Sequence, residues 1–167
     1  MSARTAAVVA KALLTLCLSG ALLATWGSAN ADVSHAGWPH TITVWFAGNH
    51  GGVGVGTDGN DMLLGGPGSD TIYGGPGNDI IWGDRYPWPD NGADQVDRLY
   101  GGPGNDWIYA SHGTNHIYGG PGNDHIFAYF GRGHIDCGPG YDVLTLSRSA
   151  EHHYTWRNCE VVRVGYP

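Results

Sequence analysis

From residue 56 to residue 145, apolar and polar positions return along this chain with a fixed period of nine. Reading from Gly56 in steps of nine gives GTDGNDMLL, GGPGSDTIY, GGPGNDIIW, GDRYPWPDN, GADQVDRLY, GGPGNDWIY, ASHGTNHIY, GGPGNDHIF, AYFGRGHID and CGPGYDVLT. The eighth position is Ile or Leu in nine of the ten units, at Leu63, Ile72, Ile81, Leu99, Ile108, Ile117, Ile126, Ile135 and Leu144. The sixth position is Asp in seven of them. Around the eighth position the pattern is that of a short strand, with the middle residue turned inward and its two neighbours turned outward. Upstream, Thr41-Ile42-Thr43-Val44-Trp45-Phe46 also alternates like a strand.

The units GGPGSDTIY, GGPGNDIIW, GGPGNDWIY and GGPGNDHIF resemble the repeats-in-toxin, or haemolysin-type, calcium-binding nonapeptide, glycine-glycine-x-glycine-x-aspartate-x-apolar-x. The resemblance covers about 90 of the residues after position 31 and implies an all-β fold, a right-handed parallel β-roll. In such a roll two nonapeptides make one turn, each with a six-residue loop and a three-residue strand, and calcium is held between loops stacked one turn apart. The residue chemistry agrees. Glycines allow the positive φ and close backbone approach that a tight loop with inward-pointing carbonyls needs, and Asp supplies the hard anionic oxygen that Ca²⁺ prefers.

One unit breaks the pattern. GDRYPWPDN has Trp88 where Asp belongs and Asp90 where the apolar residue belongs, and Pro87 and Pro89 do not suit a central strand. Residues 83–96 therefore read as one enlarged loop. That reading sorts the loops by quality. One edge of the roll then carries the loops starting at 56, 74, 101, 119 and 137, all ending in Asp. The other carries the loop at 65, the enlarged loop ending at Asp97, and two loops in which Asn115 and Gly133 replace Asp. The stacked pairs Asp61/Asp79, Asp79/Asp106, Asp106/Asp124 and Asp124/Asp142 would frame about four calcium ions, with Asp70 and Asp97 a weaker fifth pair. Carbonyls of Gly75, Gly77, Gly102, Gly104, Gly120 and Gly122 are the candidate backbone ligands. Stacked carboxylates about 5 Å apart repel one another, so an empty row is expected to oppose folding.

Charge and cysteine content follow from the first thirty-one residues. Arg4 and Lys11 precede an apolar run from Ala12 to Trp26, and Ala29-Asn30-Ala31 offers small residues at a cleavage site; 1–31 reads as a signal peptide. The run is too short to span a bilayer, so no membrane span is expected in the mature chain. The remainder has six Arg, no Lys and fifteen acidic residues, a net charge of −9. That balance excludes a nucleic-acid partner, which needs clustered basic residues. Cys137 and Cys159 are the two cysteines left, and in an exported chain they are expected to form a disulfide. The tail, with Cys137-Gly138-Pro139-Gly140-Tyr141-Asp142 followed by Asn158-Cys159-Glu160, is similar to the end of many secreted actinobacterial repeats of this family. Residues 32–55 and 146–167 then read as N- and C-terminal caps of the coil.

The outer faces carry the remaining chemistry. Met62, Ile80, Trp107, His125 and Val143 with Leu64, Trp82, Tyr109 and Phe127 would form an apolar face that calls for a cover. Thr41–Phe46 or the C-terminal tail is the expected cover; the alternative is an adhesive surface for a cell-surface polysaccharide or protein. His116 and His134 fall one turn apart, as a transition metal could use, but only Asp136 offers a third ligand, and solvated histidines are the plainer reading. Outside the repeats the chain has no room for a catalytic fold, and His152-His153 beside Glu151 has no nucleophile. A secreted calcium-binding protein without enzymatic activity is the expectation.

Overall fold

The computed structural model describes residues 30–31, 42–46, 51–84 and 94–166. The expected signal peptide, but for its last two residues, and most of the enlarged loop, residues 85–93, lie outside the described residues. Fourteen strands are described: β1 Asn30–Ala31, β2 Ile42–Phe46, β3 Val53–Val55, β4 Asp61–Leu64, β5 Thr71–Tyr73, β6 Ile80–Trp82, β7 Val96–Tyr100, β8 Trp107–Tyr109, β9 Thr114–Tyr118, β10 His125–Ala128, β11 Arg132–Asp136, β12 Val143–Ser147, β13 Tyr154–Arg157 and β14 Val161–Tyr166. They alternate between two sheets, ordered β1-β2-β4-β6-β8-β10-β12-β14 and β13-β11-β9-β7-β5-β3. Apart from β1, antiparallel to β2, neighbouring strands run parallel. This is a parallel β-solenoid.

The coil forms because each repeat has one inward residue and loops short enough to return the chain directly. All nine eighth-position residues are buried, none more than 1% exposed, in a single apolar cluster. Pairing registers are in step with the repeat: Ile126 lies beside Ile108 in one sheet and Ile135 beside Ile117 in the other. Across the irregular unit the step lengthens. Ile81 pairs with Ile108 and Ile72 with Leu99, so one extra nonapeptide enters between β6 and β7 without supplying a rung. The column of Ile and Leu passes it uninterrupted.

The coil extends beyond the repeats at both ends, and this corrects the expected cover. β2 pairs in register with β4, Val44 beside Met62, and β14 pairs with β12, Val161 beside Val143. Both segments are further rungs of the same sheet and do not lie across its face, because their exposed strand edges are satisfied by backbone pairing with the next turn. On that face Met62 and Ile80 are buried in a second small cluster with Leu64, Trp82, Trp107 and Tyr109 packed against them. The rings there stack on one another, Trp82 on Tyr109 at 4.1 Å and Tyr109 on Phe127 at 4.7 Å between centroids. The opposite face has a matching ladder, Tyr73 on Tyr100 at 4.8 Å and Tyr100 on Tyr118 at 5.0 Å.

Cys137 and Cys159 form a disulfide with their Cα atoms 5.2 Å apart, tying the last repeat to the tail. His116 and His134 do pair in register. The carboxylate that could have joined them is taken, since Asp136 accepts hydrogen bonds from Arg157 Nε at 2.9 Å and Asn158 Nδ2 at 2.8 Å.

Candidate metal centre

The loops that precede β4, β6, β8, β10 and β12 all fall on one edge of the coil, because those strands are consecutive in one sheet. Their sixth-position carboxylates, Asp61, Asp79, Asp106, Asp124 and Asp142, come together as a column, each no more than 1% exposed. The column is a ladder. The backbone N–H of Asp61 donates to Asp79 Oδ1 at 2.9 Å, that of Asp79 to Asp106 at 2.8 Å, that of Asp106 to Asp124 at 2.9 Å and that of Asp124 to Asp142 at 2.8 Å. The ladder continues one rung further than the repeats: the N–H of Asp142 donates to Glu160 Oε2 at 2.8 Å.

Asp79, Asp106, Asp124 and Asp142 each have one oxygen in this ladder and a second turned into the loop, whereas the carboxylate of Asp61, at the head of the column, accepts the Thr57 N–H at 2.6 Å and the Thr57 hydroxyl at 3.0 Å. The Oδ2 atoms of Asp79, Asp106, Asp124 and Asp142 are buried with no hydrogen-bond partner. A buried carboxylate oxygen without a partner is costly, and four in one file mark a place suited to positive charge. Burial pushes the carboxyl groups of Asp79 and Asp124 up to about 7 and that of Asp106 up to about 8, with charges on neighbouring rungs adding to the rise. Asp142 is raised as well, again chiefly by burial. Desolvation thus exceeds the mutual repulsion that the spacing alone suggests.

The glycines set the main chain around these oxygens. Gly102 and Gly104 have φ of 110° and 148°, a region that side chains rarely adopt. A Cβ on either would run into the carbonyl oxygen of Gly75 or Gly77 in the preceding loop. The same contacts recur between Gly120 or Gly122 and the carbonyls of Gly102 or Gly104. Carbonyls at the second and fourth positions therefore project toward the next loop. Those at the first and third positions accept hydrogen bonds: Gly75 N–H donates to Gly101 O at 3.1 Å and Gly77 N–H to Pro103 O at 2.9 Å.

A second ladder runs beside the first. Oδ1 of Asn60, Asn78, Asn105 and Asn123 accepts the N–H of Asn78, Asn105, Asn123 and Tyr141 respectively, at 2.7–2.8 Å. These fifth-position residues hold successive loops in register. Their signal was present as Asn in four of the five loops of this edge.

The other edge is built differently. Asp70 N–H donates to Asp97 Oδ1 at 2.9 Å, but the second oxygen of Asp97 accepts the Ser111 hydroxyl, and Asp70 Oδ2 accepts Gly66 N–H at 3.0 Å. Gln95 Nε2 bridges to Asp84 at 2.5 Å and to the His112 carbonyl at 3.1 Å. Asn115, standing where Asp would, donates to Ser111 O at 2.9 Å and to the Tyr154 hydroxyl at 3.0 Å. Here side chains of the protein largely fill the role left open on the first edge. Burial pushes Asp70 up to about 7, and its Oδ1 is left without a hydrogen-bond partner.

Among the described residues no three His, Cys, Asp or Glu side chains come together. The carboxylates of the first edge meet in pairs, with main-chain carbonyls beside them. Hard oxygens of this kind, two of them anionic, fit a calcium ion, which takes six to eight oxygens at about 2.3–2.6 Å; they offer no nitrogen or sulfur for a softer metal. Among known families, the RTX calcium-binding nonapeptide repeat (4 copies) matches residues 55–85 and 91–132. No curated protein and no solved structure matches the chain. The two edges, the buried apolar column and the matched residues agree: the repeats between 55 and 132 are RTX calcium-binding nonapeptide repeats, and the coil they build is a calcium-binding β-roll.

Proposed function

We propose that the chain is a secreted calcium-binding protein, without enzymatic activity, whose roll completes its fold as calcium fills one edge. About four ions would sit between Asp61/Asp79, Asp79/Asp106, Asp106/Asp124 and Asp124/Asp142, with carbonyls of Gly75, Gly77, Gly102, Gly104, Gly120 and Gly122 completing the shells. The observation that carries this reading is the file of buried Asp oxygens without partners. Four Ca²⁺ would also offset most of the −9 charge of residues 32–167. Asp70 and Asp97 are weaker ligands, because Ser111 and Gly66 already occupy two of their oxygens, and Asp61 must share its carboxylate with Thr57.

Among the described residues no helix is long and apolar enough to cross a membrane. The apolar run before residue 27 and the disulfide support export to an oxidising compartment. An adhesive role for the aromatic face receives less support, since the ring faces that would stack on a sugar are spent on one another.

The mature protein titrated with calcium should gain β signal in circular dichroism as ions are taken up, with about four counted by native mass spectrometry. Excess EGTA should return it to a largely disordered chain. Equal β content with and without EGTA, or no ion uptake, would refute the reading.

A further inference from the structure

The Asp ladder ends on a residue that is neither Asp nor part of a nonapeptide. Asp136 pairs with Arg157 and Val143 with Val161, so six residues, 137–142, link the first strands of these pairs, whereas only three, Asn158, Cys159 and Glu160, link the second. The short link turns at Asn158, whose φ is 54°, and the Cys137–Cys159 disulfide pins it to the start of the last full loop. A three-residue link cannot bring a main-chain position as far out as a six-residue loop. The extra methylene of Glu over Asp makes up the reach, and Glu160 Oε2 takes the Asp142 N–H at 2.8 Å, the same contact each Asp makes in the rungs before it.

Two further observations turn this contact into a site. Asp142 is fully buried, and its Oδ2 has no hydrogen-bond partner. Gly138 and Gly140, with φ of 109° and 158°, repeat the glycine conformations of the preceding loops and meet the carbonyls of Gly120 and Gly122 in the same way. Their own carbonyls thus project on toward the turn that holds Glu160. We infer that Asp142 and Glu160 form a further calcium site that closes the row at its C-terminal end, with the carbonyls of Gly138 and Gly140 as its main-chain donors. Glu160 is exposed and stands on a three-residue link in place of a glycine loop, so water completes this shell. Fewer protein oxygens and a wet rim make it the weakest ion of the row, the last to bind and the first to leave.

This inference rests on the calcium reading of the row, and the test separates the two. Native mass spectrometry would compare the unaltered mature protein with Glu160→Gln, which keeps an oxygen for the Asp142 N–H while removing the charge. The expected result is one ion fewer in the variant, with unchanged β signal in calcium. Equal, non-zero counts overturn the Asp142/Glu160 site alone; zero counts in both overturn the row as well. Should the variant lose its fold, hydrogen exchange of the unaltered protein across a calcium titration decides the matter. Amides of 138–142 and 158–161 should gain protection at higher free calcium than those of 74–124; a single common step overturns the site.

Discussion

The carboxylates of the first edge are poised between two cations, calcium and the proton. Burial holds the carboxyl groups of Asp79 and Asp124 near 7 and that of Asp106 near 8, against an ordinary 3.8. A folded value above the unfolded one means that the native form binds protons more tightly, so the stability this adds is fully present below about pH 4. It is lost as pH rises toward 7 to 8, where burial of ionised groups must be borne. In protein stripped of calcium beforehand and kept in calcium-free buffer, β signal should therefore be greater at pH 4.5 than at pH 7.5, while calcium affinity should rise over the same interval; equal β signal at both pH values would contradict the assignment. At this scale the sequence was a good guide where a residue's role repeats. The Ile and Leu column and the Asp column were legible because each recurs every nine residues. Glu160 was not, because its place in the ladder depends on a three-residue link and a disulfide, neither of which the period encodes.

At the scale of the strand and loop, the division into two edges follows from one unit that fails to make a rung. Counting GDRYPWPDN as an insertion placed all five complete loops on one side, and the 27-residue pairings of Ile81 with Ile108 and Ile72 with Leu99 agree. How the other side holds together was not legible. Ser111 reaches Asp97 across fourteen residues, and Tyr154 reaches Asn115 across thirty-nine; such partners meet only once the coil is wound. The Tyr154 hydroxyl also donates to the Phe130 carbonyl at 2.8 Å, and the residue is 4% exposed. Removing the hydroxyl takes one partner from the buried Asn115 amide, which keeps the Ser111 carbonyl, and one from the Phe130 carbonyl, so Tyr154→Phe should destabilise the calcium-loaded protein by about 1–3 kcal/mol. The calcium count should stay unchanged, which chemical denaturation and mass spectrometry together would show. A loss of bound ions would mean that the two edges are not separable in this way.

For the molecule as a whole, the coil must be closed at its ends, since each terminal turn has backbone groups and a core face with no next rung to meet them. At the C-terminal end β13 and β14 supply one more turn, and the disulfide fastens it to the last repeat. Closing a link of 22 residues stabilises by about 3 kcal/mol in the chain-entropy view. Reduction, or Cys137→Ser with Cys159→Ser, should lower the unfolding free energy in saturating calcium by about that amount, read from urea denaturation. An unchanged midpoint would show that the tail holds without its tether.

The nonapeptide that makes no rung also sets a rule for how such a chain can vary. It enters where the protein's own hydroxyl, amide and carboxamide groups hold the turns, and it leaves the spacing of the Asp file unaltered. Length can thus be added to that loop without shifting the other side out of step. A peptide grafted between β6 and β7 would ride on the scaffold as cargo, carried by a rod whose pitch it does not touch.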